Sequence, residues 1–427
     1  MKTKIQEKFK AMFGDGASLF ASPGRVNLIG EHTDYNLGFV LPGAIDKAIY
    51  VALKPNDGTV CRVYSLDYDE TVELDLHGEK PSQQWACYVY GVCQEMEKRG
   101  ALILPFDMAF GGDVPLGAGL SSSAALESAV GFALNETYGL GFDREQLAKI
   151  GQMTEHNYVG VRCGIMDQFA SLFGEAGHVI RLDCRSLEYK LEPFDPQGCR
   201  VVLFDTQVKH TLASSEYNVR RAQCEAGVAV VLRHVGGVES LRDVTADMLD
   251  TYKGEMDEVV YRRCRYVVDE NQRLLDACAA LEKGDYVTFG QKMNGSHEGL
   301  SRQYEVSCDE LDFLADIGHR TDGVLGARMM GGGFGGDVPD ELCYQWAREY
   351  FRDADAKEDA ESEEKFVPKT YNGKTPKAGK KEKSKKTEPK PAVTIAQRTG
   401  VEEIVQDFLP IQAAMKPMIP GRFTFHR

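Results

Sequence analysis

Residues 117–125 read Gly117-Ala118-Gly119-Leu120-Ser121-Ser122-Ser123-Ala124-Ala125. Gly117 and Gly119 let the backbone turn tightly and come close to a ligand. Ser121, Ser122 and Ser123 bring hydroxyls and N–H groups to a helix start that continues through Leu126 and Glu127. Upstream, the apolar run Phe106 to Phe110 reads as a strand, and Pro115-Leu116 leads into the glycines. Strand, glycine-rich turn and serine-rich helix start make the context of a phosphate loop. Free N–H groups and the positive end of a helix dipole favour an anion there. A loop that only caps a core helix is the alternative. No Gly-Lys-Ser/Thr follows the glycines, so this is not a Walker A sequence.

The chain has 427 residues, 43% of them hydrophobic, enough for two domains with their own cores. A net charge of −15 argues against nucleic acid or an anionic membrane as partner. An anionic ligand such as ATP must then be held locally, by a loop, a metal and a few cations. The 11 cysteines are scattered without a CxxC pair, so a zinc site is not expected and a reduced, cytoplasmic setting is. Met1 to Phe13 alternates lysines with apolar residues like a short amphipathic helix and lacks the apolar core of a signal peptide. No apolar run reaches membrane-spanning length.

Next comes Ser22-Pro23-Gly24-Arg25-Val26-Asn27-Leu28-Ile29-Gly30-Glu31-His32-Thr33-Asp34-Tyr35. It reads as a turn, a short strand over 26–29, and a polar cluster after Gly30. Carboxylates and an imidazole so placed suit a hydroxyl-rich ligand. Singly, His32 reads equally as a core histidine, Asp34 as a turn former and Arg25 as a surface cation. Residues 39–53 and 59–75 read as strands joined at Pro55-Asn56-Asp57-Gly58, a hairpin signal. Trp85 to Met96 reads as a helix, with Trp85 packing on a sheet or lining a base pocket.

A helix over 144–160 carries Glu155 and His156 near its end. The loop Cys163-Gly164-Ile165-Met166-Asp167-Gln168 then places Asp167 among apolar neighbours. A carboxylate there is desolvated unless paired, and a cation such as Arg25 is its natural partner. A helix N-cap is the alternative for Asp167. Strands are expected at 178–183 and 200–205, and helices at 214–233 (with Tyr217 in its first turn), 255–282 and 283–298. Gly331, Gly332, Gly333, Gly335 and Gly336 make a loop that must approach a backbone or ligand closely. Beyond them, Leu342, Trp346 and Tyr350 have helical spacing. From Arg352 the chain turns acidic and then lysine-rich, and disorder is expected over 353–391.

Together, the stretches 22–35, 115–125, 164–169 and 326–336 resemble galactokinase, within the superfamily named for galactokinase, homoserine, mevalonate and phosphomevalonate kinases. The resemblance covers residues 1 to about 336. It implies an α+β, two-domain sugar-kinase fold with an N-terminal mixed-sheet domain (1–199) and a ferredoxin-like C-terminal domain (200–352), and leaves 353–427 as an atypical tail. Asp337-Val338-Pro339 stands where the family opens a strand, and proline cannot donate in a central ladder.

The resemblance further implies ATP-dependent phosphorylation of galactose at its C1 hydroxyl, by a cytoplasmic monomer that uses ATP and Mg²⁺. Asp167 would accept the hydroxyl proton. Arg25 would hold Asp167 ionised and stabilise the transferring phosphoryl. Glu31, His32, Asp34, Gly164 and Tyr217 would bind the sugar. Gly117, Ala118, Gly119, Leu120, Ser121, Ser122 and Ser123 would cradle the phosphates, Ser122 and Glu155 would hold the metal, and Trp85 would lie near the adenine. A non-catalytic binder of galactose and ATP, and a kinase of a related sugar such as N-acetylgalactosamine, are the alternatives. The presence of Arg25, Asp167, Glu155 and Ser122 together favours the enzyme.

Overall fold

Helix α1 (Lys2–Phe13) leads into strand β1 (Ser18–Asn27), followed by β2 (Phe39–Val40), β3 (Pro42–Pro55), β4 (Cys61–Ser65) and β5 (Glu70–Leu74). Helix α2 (Gln84–Glu97), strand β6 (Phe106–Gly112) and helices α3 (Ser122–Tyr138), α4 (Arg144–Thr154) and α5 (Met166–Phe173) come next. Strands β7 (His178–Asp183) and β8 (Tyr189–Pro193) precede helices α6 (Ala213–Leu232), α7 (Ala246–Tyr252), α8 (Glu258–Leu281), α9 (Tyr286–Gly299) and α10 (Asp309–Arg320). This computed structural model describes residues 1–194, 199–204 and 213–333. The expected helix around Leu342–Tyr350, Asp337-Val338-Pro339 and the 353–427 tail lie outside the described residues.

The main sheet has the order β1-β3-β6-β4-β5, mixed because β4 runs parallel to β6 while the other pairs are antiparallel. Period-two alternation assigns its faces. Val51, Leu53, Val63, Met108 and Phe110 face the large core with α2, α3 and α5. Ala52, Tyr64 and Ala109 face the other way, onto Ile5 and Phe9 of α1. Each of those two fully buried side chains contributes roughly 1.5–3 kcal/mol by leaving water. A smaller sheet, β2-β7-β8, borders the same core.

Three sequence expectations change here. Of the expected 26–29 strand, Val26 and Asn27 end a longer one, β1, which runs through Pro23-Gly24, and Leu28 and Ile29 lie beyond it. β1 tolerates proline because it is an edge strand and its register shifts between Pro23 and Arg25. The 55–58 turn does not join a hairpin, because β6 inserts between β3 and β4. The hairpin is β4–β5. Finally, residues 200–204 carry no strand, and β7 pairs with β8 instead. In β8 Tyr189-Lys190-Leu191-Glu192 alternates apolar with charged residues over a short run, and it is Glu192 that is buried.

A second core gathers Cys224, Val231, Leu241, Leu249, Cys264, Tyr266, Val267, Leu300 and Tyr304 from the helical half. Helix α8 joins both cores, giving Tyr266 and Val267 to this one and Leu274, Ala277 and Leu281 to the first. The described residues of 199–333 contain helices and loops without a strand, so the sheet of a ferredoxin-like domain is not among them. Among the described residues, no helix is long and apolar enough to cross a membrane.

Candidate active site

The 117–125 stretch leaves β6 and enters α3 as the sequence suggests, with Gly117, Gly119 and Ser121 all at positive φ. Ser121 occupies the N-cap position of α3, yet its side chain makes no cap. Its hydroxyl instead donates to Asp167 Oδ2 at 2.5 Å. The first N–H groups of α3 therefore have no side-chain cap and face the loop, the arrangement that receives an anion. A simple capping loop would have spent the serine on the helix. The loop is tied to β1, because Leu120 O accepts from the Arg25 N–H at 3.1 Å.

Arg25 is buried, not a surface cation. Its guanidinium forks onto Asp167, Nε to Oδ1 at 2.8 Å and Nη2 to Oδ2 at 3.0 Å. Its third nitrogen, Nη1, donates to Gly119 O at 2.5 Å. Asp167 is the second residue of α5 and not its cap, since Ile165 holds the N-cap position without a side-chain bond. The Asp167 side chain is 31% exposed while Arg25 is 5% exposed, so the carboxylate keeps an open side.

The polar turn after β1 sits beside this pair. His32 takes a left-handed backbone, φ 62, uncommon for a side chain with a Cβ. Both its ring nitrogens are engaged: Nε2 meets Gly332 O at 3.0 Å and Nδ1 meets the Tyr35 hydroxyl at 2.8 Å. Nε2 must donate to the carbonyl, so Nδ1 accepts from Tyr35, whose oxygen in turn meets Tyr304 Oη at 2.6 Å. Burial pushes the His32 imidazole down to about 3, helped by the charges of Arg220, Arg328 and Arg263, and it is neutral. Burial pushes the Asp34 carboxyl up to about 7, with Asp167 and Glu31 adding repulsion. Gly164 abuts Asp34: a Cβ there would clash with the Asp34 carboxylate. Tyr217 packs its ring 4.9 Å from Tyr35 and 5.3 Å from His32.

Glu155 ends α4 in a π-type turn over Glu155–Val159. The Ser123 hydroxyl, one residue past Ser122, favours the charged form of Glu155 against the burial. Ser123 and Glu127 share one face of α3, and Glu127 lies one turn deeper, accepting from Gln168 Nε2 at 3.0 Å. Burial pushes both carboxyls up. An acid held above its ordinary range at the edge of the 117–123 loop fits a divalent cation, whose charge offsets the desolvation. Trp85 is 7% exposed, donates Nε1–H to Glu70 Oε2 at 3.1 Å, and lies between Tyr68 and Phe110. Of its two readings, packing on the sheet is present.

Sequence reasoning missed Arg328, which bonds Glu31, and the Tyr35–Tyr304 link. A lone arginine inside the Gly-Met-rich run was the available signal. The run itself is a loop that approaches a backbone, as read: a Cβ on Gly331 would lie 3.3 Å from Gly119 Cα.

Three family models match this chain. The galactokinase galactose-binding signature matches residues 7–55, the GHMP kinases N terminal domain 87–175, and the GHMP kinases C terminal domain 277–336. Galactokinase from Chloroflexus aggregans is 45% identical over 337 residues, 78% of this chain and 86% of that protein. The chain belongs to the galactokinase family. Galactokinase from Thermosipho africanus is 44% identical, over 74% of this chain and 87% of its own. The crystal structure of Lactococcus lactis galactokinase complexed with galactose superposes with a TM-score of 0.76 at 35% identity, covering 82% of this chain and 95% of that one. Methanococcus jannaschii mevalonate kinase, at 16% identity and a TM-score of 0.51, shares the fold. The galactokinase-family segments carry Arg25 and Asp34 in the first match, the 117–123 loop, Glu155 and Asp167 in the second, and Arg328 in the third.

Proposed function

We propose that this chain transfers the γ-phosphoryl group of ATP to the anomeric C1 hydroxyl of α-D-galactose, giving galactose 1-phosphate and ADP. Family membership supports the reaction, and one observation supports the assignment of roles. The Arg25 guanidinium holds Asp167 with two nitrogens and the phosphate-loop carbonyl of Gly119 with the third. A single side chain thus fixes the distance between a carboxylate and the phosphate cradle.

Asp167 accepts three hydrogen bonds, one at Oδ1 and two at Oδ2, which leaves an acceptor position on Oδ1. A sugar hydroxyl donating there is oriented toward the loop and loses its proton to Asp167 as the bond to phosphorus forms. Such transfer depends on positioning and charge stabilisation more than on covalent help from the protein. Arg25 stabilises charge on the transferring group. Glu31, His32, Asp34, Gly164 and Tyr217 bind the sugar, and neutral His32 serves as a polar wall and not as a charge. Residues 117–123 cradle the phosphates. Ser122 and Glu155 would hold Mg²⁺, which when bound would neutralise charge on the phosphates. The setting is a cytoplasmic monomer; none of the described cysteines forms a disulfide, in keeping with a reducing compartment.

The test is a coupled ADP-release assay over a panel of sugars. Galactose-dependent ADP release is expected. Binding of galactose and ATP without release would identify a non-catalytic binder, and preference for N-acetylgalactosamine would move the substrate.

A further inference from the structure

We infer that Arg328 is a positioning residue for sugar recognition, acting through the Glu31 carboxylate; this rests on the galactose reading above. Arg328 lies in the loop after α10, and 297 residues separate it from Glu31 in the chain. One guanidinium nitrogen, Nη1, donates to Asn27 O at 3.0 Å, and Nη2 donates to Glu31 Oε2. Asn27 Nδ2 donates to the same Oε2 at 2.9 Å, and the Gly331 N–H donates to Oε1 at 3.1 Å.

An ionised carboxylate has about four acceptor positions. Two donors fill those of Oε2, and one fills half of Oε1. A single position on Oε1 remains for a sugar hydroxyl, and its direction is set by how Arg328 holds the other oxygen. The pair is closed to solvent, with side-chain exposures of 2% for Arg328 and 3% for Glu31. Further stitches hold the same loop on the sugar-side turn: His32 Nε2 donates to Gly332 O, and the Asn27 N–H meets Met330 Sδ at 3.3 Å. A planar fork can grip Asn27 O and Glu31 together, and a lysine ammonium cannot hold that geometry.

The test compares wild type, Arg328→Lys, Glu31→Gln, their double variant and Asn27→Ala, with galactose and ATP affinity measured separately by calorimetry. Arg328→Lys should weaken galactose about tenfold or more while ATP affinity stays within about twofold. The double variant should lose no more galactose affinity than Glu31→Gln alone, because both changes break one linked unit. Asn27→Ala should cost less than Arg328→Lys, since it removes a neutral donor. Equal losses for both ligands, additive losses in the double variant, or an Asn27→Ala loss as large as that of Arg328→Lys would each overturn the inference. Wild type that binds no galactose overturns the galactose reading and this inference with it. Unchanged galactose binding by Arg328→Lys overturns the inference alone.

Discussion

Arg25–Asp167 and Arg328–Glu31 use the same chemistry, a guanidinium against a carboxylate with a further nitrogen on a backbone carbonyl. They differ in access. Asp167 is 31% exposed beside the 117–123 loop, whereas Glu31 is 3% exposed beneath the Gly331 loop. The open carboxylate can meet a reacting group; the enclosed one holds two distant segments in register and leaves one acceptor position. An ion pair's role here follows from its exposure, not from its partners.

The largest effect that would break this contrast is on stability. Glu31→Ala strands the Arg328 charge in the interior and should cost about 3–5 kcal/mol. Removing Asp167 should cost clearly less, because water reaches that site. Urea denaturation of both variants checks the order, and equal losses would erase the distinction.

Asp34 sharpens it through pH. Its carboxyl, ordinarily near 3.8, is pushed up to about 7 by burial. Between those values the native state holds a proton that the unfolded state has released, so this group's contribution to stability falls as pH rises. Asp34→Asn should therefore gain on wild type from pH 4 to 7, by at most roughly 4 kcal/mol. His32, pushed down to about 3, acts in the opposite sense below its ordinary value of 6.5, so the difference between variants is the quantity to measure. Melting curves in sugar-free buffer that stay parallel across this range would contradict the buried setting of Asp34.

A smaller effect is expected from Arg25→Lys. Charge remains, but one charge-assisted hydrogen bond of about 1.5–3 kcal/mol is lost, roughly a 10- to 100-fold fall in kcat/KM. An unchanged kcat/KM would remove Arg25 from the reaction.

Local chemistry made much of the site legible. The strand, turn and helix around Gly117 followed from glycine and serine spacing, and the isolation of Asp167 among Ile165, Met166 and Phe169 called for a cation. What stayed hidden depends on distant register or on helical phase. Glu31 and Arg328 are 297 residues apart, and nothing near either names the other. Turn residues at 55–58 marked a real bend, yet β6 enters between the two strands from later in the chain. That Ser123 acts on the Glu155 carboxyl is a matter of helical phase, set by how α3 packs on α4. Pro23 misled because edge position and a register shift are properties of the sheet.

The most direct measurement pairs galactose affinity with turnover in Asp167→Asn, which keeps the shape of the side chain and removes its basicity. Calorimetry should give a galactose Kd within about threefold of wild type, while kcat falls by about 10²–10⁴-fold, the range of a positioned proton acceptor. Near-normal kcat, or a loss of galactose binding that accounts for the whole fall in turnover, would contradict the assignment of the Arg25–Asp167 pair to phosphoryl transfer.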